Sequence, residues 1–106
     1  MILISFFSSD SKLTGFHITG HSDYSEEGSD IVCAAVSSAA YMTANTITEI
    51  LGLEPVLEVA DGDMLLRSRT LSDADKAVDI LNGFRLHTEG LQEQYPEFIH
   101  VTITEV

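Results

Sequence analysis

Two residues twelve positions apart carry the most specific chemistry in this chain, His21 and Cys33, and Cys33 is its only cysteine. Ser29 and Asp30 are both good helix N-caps, which places Cys33 in the first turn of a helix. Unpaired backbone N–H groups and the positive end of the helix dipole there favour a thiolate over a thiol. His21 ends the preceding strand. A strand end and the start of the next helix can lie side by side, so imidazole and sulfur can meet as base and nucleophile. The N–H groups beside Cys33 would then form an oxyanion hole. A plainer role also fits, because Cys33 shares a helical stripe with Val36 and Ala40, and a lone cysteine on an apolar stripe is commonly a small buried hydrophobe. Spacing leaves both open.

The elements that must position these residues follow from hydrophobic period. Met1 to Ser8 alternates and is rich in Ile, Leu and Phe, as a strand does. Ser9 to Lys12 reads as a turn, Leu13 to Gly20 as a second strand and His21 to Ser29 as a polar loop. From Asp30 to Leu51 the period becomes helical, ending at Gly52. One stripe of this helix holds Cys33, Val36, Ser37, Ala40, Ala44, Ile47 and Leu51; a second holds Val32, Ala35, Ala39, Met42 and Ile50. Pro55 to Ala60 and Met64 to Arg69 flank Asp61-Gly62-Asp63, a hairpin signal. Ser72 and Asp75 resemble a capping box that opens a helix running to Gln94, with Ala77, Leu81, Phe84, Leu91 and Tyr95 as its core stripe and a kink expected at Gly83 or Gly90. Phe98 to Thr104 is a last strand. The order ββαββαβ makes an α+β fold, a mixed or antiparallel sheet with two helices packed on it, in one domain over residues 1–106.

Composition bounds the partners. Of 106 residues 17 are acidic and 5 basic, a formal net charge of −12, with the cations scattered. Phosphate backbones are bound by clustered Lys and Arg, so no nucleic-acid partner is expected, and the acidic surface suits a basic protein or peptide. One cysteine allows no internal disulfide and no thiolate-built zinc site. No metal is expected at the histidines either: His17 and His21 lie on one strand face, about 13 Å apart. Met1 leads straight into Ile-Leu-Ile with no cationic segment, and no apolar run reaches the ~20 residues of a membrane span, so a soluble, cytoplasmic protein without a membrane partner is expected.

The run Thr19-Gly20-His21-Ser22, then Gly28, then Asp30-Ile31-Val32-Cys33-Ala34-Ala35-Val36-Ser37 resembles the ribosomal-processing cysteine protease family, Prp or YsxB-like, and the likeness covers nearly the whole chain. The resemblance implies a small homodimeric cysteine endopeptidase that removes the N-terminal extension of a basic large-subunit ribosomal protein, the one numbered twenty-seven, and needs no cofactor. It implies His21 as base and Cys33 as nucleophile, with Gly20, Asp30 and Ser37 at matching motif positions in binding or supporting roles. Ser22 departs from the alanine that many members carry after the histidine; little effect on the pair is expected, beyond altered hydrogen bonding of the imidazole.

Several features admit two uses. Asp30 either orients His21 or simply caps the helix. Ser37 either meets substrate or the His21 ring, or bonds back to its own helix. Asp23, Glu26 and Glu27 are solvated loop charges or steer a basic peptide, in a loop that could close on substrate about Gly28. The second stripe of the first helix needs a cover, which a two-fold-related copy would supply. The rival functions are a non-catalytic acidic adaptor for basic ribosomal proteins and a thiol redox sensor, the latter lacking a resolving cysteine in this chain.

Overall fold

A computed structural model of the chain describes residues 1–25 and 30–106. Strand β1 (Ile2–Ser9) and strand β2 (Lys12–Thr19) form a hairpin turned by Asp10 and Ser11, whose φ values of 52° and 65° give the left-handed pair that a tight hairpin needs. Helix α1 (Ile31–Asn45) runs on into a single π turn, Thr46–Ile50. The hairpin β3 (Val56–Ala60) and β4 (Asp63–Arg67) follows, then helix α2 (Leu71–Gln94) and strand β5 (Ile99–Glu105). The five strands form one mixed sheet in the order β3-β4-β2-β1-β5, antiparallel except for the β1–β5 pair. The expected α+β class and ββαββαβ order both hold.

Alternation in β1 sends Ile2, Ile4 and Phe6 to one face, and the register aligns them with Ile18 and Phe16 of β2 and with Ile99 of β5. Both helices pack on that face. Their buried stripes, Val32, Val36, Ala40 and Ala44 from α1 and Ala77, Leu81, Phe84 and Leu91 from α2, join these strands in one core. At its centre Phe84 meets Phe16 and Phe6 edge-on, with ring centroids 4.8 and 5.6 Å apart.

Three local expectations are corrected. The cap of α2 is Thr70, whose hydroxyl accepts from the Asp73 N–H at 3.0 Å; Ser72 lies inside the first turn and Asp75 pairs with Lys12. Thr70 has an extended backbone immediately before the first helical residue, so the first free N–H groups fall to it rather than to Ser72. Second, α2 is unbroken through Gly83 and Gly90, because both face solvent while the residues between them are held by the core. The ~1 kcal/mol each glycine costs is outweighed by that packing. Third, α1 does not keep its phase to Leu51. The hydroxyls of Thr46 and Thr48 bond back to the carbonyls of Met42 and Ala44, and the Leu51 N–H reaches five residues back to Thr46. The wide turn keeps Ile47 fully buried but rotates Ile50 and Leu51 to the surface. The segment Ile31–Ile50 is also long and apolar enough, by length and composition, to cross a bilayer, contrary to the sequence reading; here its buried stripe is a wall of the core.

Candidate active site

Cys33 owes its position to Asp30. That residue takes an extended backbone (φ −79°, ψ 99°) and caps α1, its Oδ1 accepting the N–H groups of Val32 and Cys33 at 3.0 Å each. Of the two expected caps, Asp30 serves; Ser29 lies outside the described residues, as do Glu26, Glu27 and Gly28. Oδ2 of Asp30 accepts the hydroxyl of Ser22. Partial burial pushes the Asp30 carboxyl up, but hydrogen bonds from Ser22, from Cys33 and from the Val32 N–H outweigh it and hold the group below the ordinary 3.8. Capping also changes the expected oxyanion hole. The N–H groups of Val32 and Cys33 are engaged by the Asp30 side chain and that of Ala34 by its carbonyl. Among the described residues, the backbone N–H aimed at the sulfur is that of Ser22, at 3.3 Å.

His21 is reached from the other side. β2 ends at Thr19, and Gly20 turns the chain with φ +88°; a Cβ there would lie 2.4 Å from the Met1 carbonyl oxygen, so glycine is required. The Gly20 N–H donates to the Gly62 carbonyl at 2.9 Å, tying the end of β2 to the tip of the β3–β4 hairpin. The exposed His21 ring lies over that tip: a Cβ on Gly62 would stand 2.8 Å from Nε2. Gly62 is thus needed twice, for its φ of +67° and for the space the imidazole fills. The sequence reading saw only a turn signal there. Contact between residues forty-one positions apart leaves no local trace.

Between α1 and the hairpin lies a cleft of about 750 Å³, and both His21 and Cys33 line it. No hydrogen bond joins imidazole to sulfur among the described residues; the ring rests on Gly62 and the sulfur, half-buried, faces Ser22. Ile18, Val36 and Met64 supply apolar lining, and Tyr41 stands at the helix side. Asp23, Asp30, Asp61 and Asp63 line the cleft with no Lys or Arg among the described residues, so it favours a cationic ligand. Asp63 also pairs with His17 at 3.0 Å.

The other expected site residues fall as follows. Ser37, exposed one turn after Cys33, lines the cleft, and its hydroxyl makes no hydrogen bond to its own helix. Asp30 bonds to the helix start and to Ser22 rather than to His21. The Ser22 hydroxyl turns to Asp30 and Cys33, not to the imidazole. Tyr24 anchors this end of the loop, with its ring edge-on to Phe98 and Tyr95 at 5.2 and 5.9 Å.

Residues 1–100 match the family described as Cysteine protease Prp. A ribosomal processing cysteine protease Prp of Bacillus subtilis is 28% identical over 100 residues, spanning 90% of this chain and 89% of its own. Its counterpart in Staphylococcus aureus is 28% identical over 93 residues, 87% of this chain and 88% of that one. A crystal structure of the S. aureus protease with a covalently linked product peptide superposes with a TM-score of 0.90 at 29% identity, covering 98% of this chain and all of that one. Another, with a substrate peptide, gives 0.84 at 28% identity over the same shares. With its cleft, its capped cysteine and a match across nearly its whole length, the chain belongs to the Prp family of ribosomal processing cysteine proteases.

Proposed function

We propose that this protein is an endopeptidase that removes the N-terminal extension of large-subunit ribosomal protein twenty-seven, with Cys33 as nucleophile and His21 as base. The observation that carries the reading is that His21 and Cys33 stand on one acidic cleft, the sulfur beside the capped start of α1. The Cys33 proton passes to His21, and the sulfur attacks the scissile carbonyl carbon. Protonated His21 then gives its proton to the leaving amine as the C–N bond breaks. Water, deprotonated by His21, hydrolyses the thioester and frees the acid product and the thiol. For the first transfer the ring must leave its seat on Gly62 and approach the sulfur, a movement that peptide entering the cleft would drive. Gly20 fixes where the His21 segment leaves β2, Asp30 holds the start of α1, and the free hydroxyl of Ser37 faces substrate. Four carboxylates lining the cleft suit a basic ribosomal segment.

The working form is a homodimer in the cytoplasm. The contact between α1 and α2 and the core take up Val32 and half of Ala35 and Ala39, but Met42 is 54% and Ile50 78% exposed. A second copy covering this end of α1 would remove both from water.

The test is mass spectrometry of ribosomal precursor incubated with wild type and with Cys33→Ala. One new N-terminus that appears with wild type and is missing with the variant is expected. Stable association with no new terminus, indifferent to Cys33→Ala, would instead make the protein an acidic adaptor.

A further inference from the structure

We propose that Ser22 is a positioning residue that restrains the nucleophile, its hydroxyl oxygen accepting the Cys33 S–H and so favouring the thiol over the thiolate at the start of α1. The inference rests on the reading of Cys33 as nucleophile. A hydroxyl has one proton and two lone pairs, and here all three are assigned. The proton goes to Oδ2 of Asp30. An ionised carboxylate can only accept, and Asp30 is held below the ordinary aspartate value, so the direction of that bond is fixed across neutral pH. One lone pair takes the Tyr24 N–H at 3.2 Å, a donor that the packing of Tyr24 on Phe98 keeps in place. The other faces Cys33, whose thiol donates to Ser22 Oγ at 3.6 Å. Ser22 is 2% exposed, so water does not compete for these positions.

With its proton committed to Asp30, the oxygen shows the sulfur only electron density. It accepts an S–H and opposes S⁻. The Ser22 backbone N–H and the start of α1 act in the opposite sense. The main-chain donor survives when the side chain is changed, so deleting one oxygen removes the hydroxyl's share of the restraint and leaves the activating groups, while the Asp30 carboxylate, which the Cys33 side chain also meets, stays in both forms. Among the described residues, His21, Asp23, Asp30, Tyr41, Asp61 and Asp63 are the titratable groups that share the cleft with Cys33. They are common to wild type and variant, so a difference between the two pH profiles isolates the hydroxyl.

The experiment measures alkylation of Cys33 by iodoacetamide in the full chain, followed by mass spectrometry between about pH 5 and pH 9. Ser22→Ala should react about 2- to 10-fold faster than wild type at the acidic end, the range that one weak hydrogen bond represents. The two profiles should draw together toward the alkaline end, where hydroxide removes the thiol proton with or without the hydroxyl beside it. Ser22→Thr keeps the hydroxyl and should return the acidic-end rate to near that of wild type. An unchanged or slower Ser22→Ala at the acidic end overturns the proposal. So does an equal gain at every pH, which would mean wider access and no released proton. Alkylation uses no peptide, so a wild type that fails to cleave ribosomal precursor would defeat the protease reading while this measurement still returned its own answer.

Discussion

The two sides of the cleft are built differently. On the Cys33 side the sulfur is half-buried and sits inside a closed set of hydrogen bonds from Ser22, Asp30 and the first turn of α1. On the His21 side the ring is exposed and lies over Gly62, and the hairpin tip beneath it is tied to the end of β2 by the Gly20 N–H and by the pairing of Thr19 with Asp63. The first side is set when the chain folds. The second presents an exposed ring over the glycine of a hairpin tip.

The sharpest contrast comes from deleting each side in turn. Cys33→Ala should lose cleavage of ribosomal precursor altogether, since no other described group can form the thioester, with the thermal midpoint little changed because alanine fits a half-buried helical position. His21→Ala should lose about 10²- to 10⁴-fold in kcat, the usual contribution of a positioned acid–base group. Near wild-type turnover in either variant would break the pair.

Gly62→Ala tests the seat. Its Cβ would meet the imidazole at 2.8 Å, whereas Gly52 has the same φ of +67° with open space around it. Both alanines strain the backbone by about 1–2 kcal/mol. A fall of about 10-fold in kcat is expected for Gly62→Ala beyond any loss in Gly52→Ala, on the order of what a misplaced catalytic group costs. Equal kinetics in the two variants would reduce the hairpin tip to a plain turn.

On the nucleophile side, Asp30→Ala should destabilise the fold by about 1 kcal/mol in denaturant melts, the usual cost of a lost N-cap. The carboxyl is depressed in the folded state, so wild type has this increment in full above the ordinary 3.8 and loses it as pH falls through the lower folded value. Thermal midpoints of wild type and Asp30→Ala should therefore converge in acid. A gap that persists there would point to packing and not to charge.

The smallest effect is expected from the cleft acids. Asp23→Asn combined with Asp61→Asn should slow association with a basic peptide by about threefold at low ionic strength, measured by stopped flow, and the difference should fade as salt rises. A rate indifferent to salt would leave these carboxylates as solubilising charge.

How much was legible beforehand divides by distance along the chain. The Asp30 cap, the β1–β2 hairpin and the Asp61-Gly62 turn were readable because each is a bargain among neighbours: a side-chain oxygen with the next N–H groups, or a positive φ with the residues that tolerate it. The buried stripes of α1 and α2 were readable because helical period is regular. The π turn was not, since Thr46 and Thr48 could as well have pointed to water, and only in the fold do their hydroxyls compete for α1 carbonyls. Nor was the cap of α2, where Thr70 and Ser72 are both suitable residues and the folded backbone, extended at Thr70 and helical from Leu71, decides between them.

By itself, then, the sequence determined the order of the elements, the acidity of the surface and the placing of Cys33 at a helix start, all consequences of local bonding and of composition. Tertiary structure alone decided that Gly62 seats His21, that Ser22 stands between Asp30 and Cys33, and that Ile50 turns out to solvent while Ile47 is buried. Each of these depends on elements that meet only after the sheet has closed on its helices, through contacts whose energy no neighbour in the chain records.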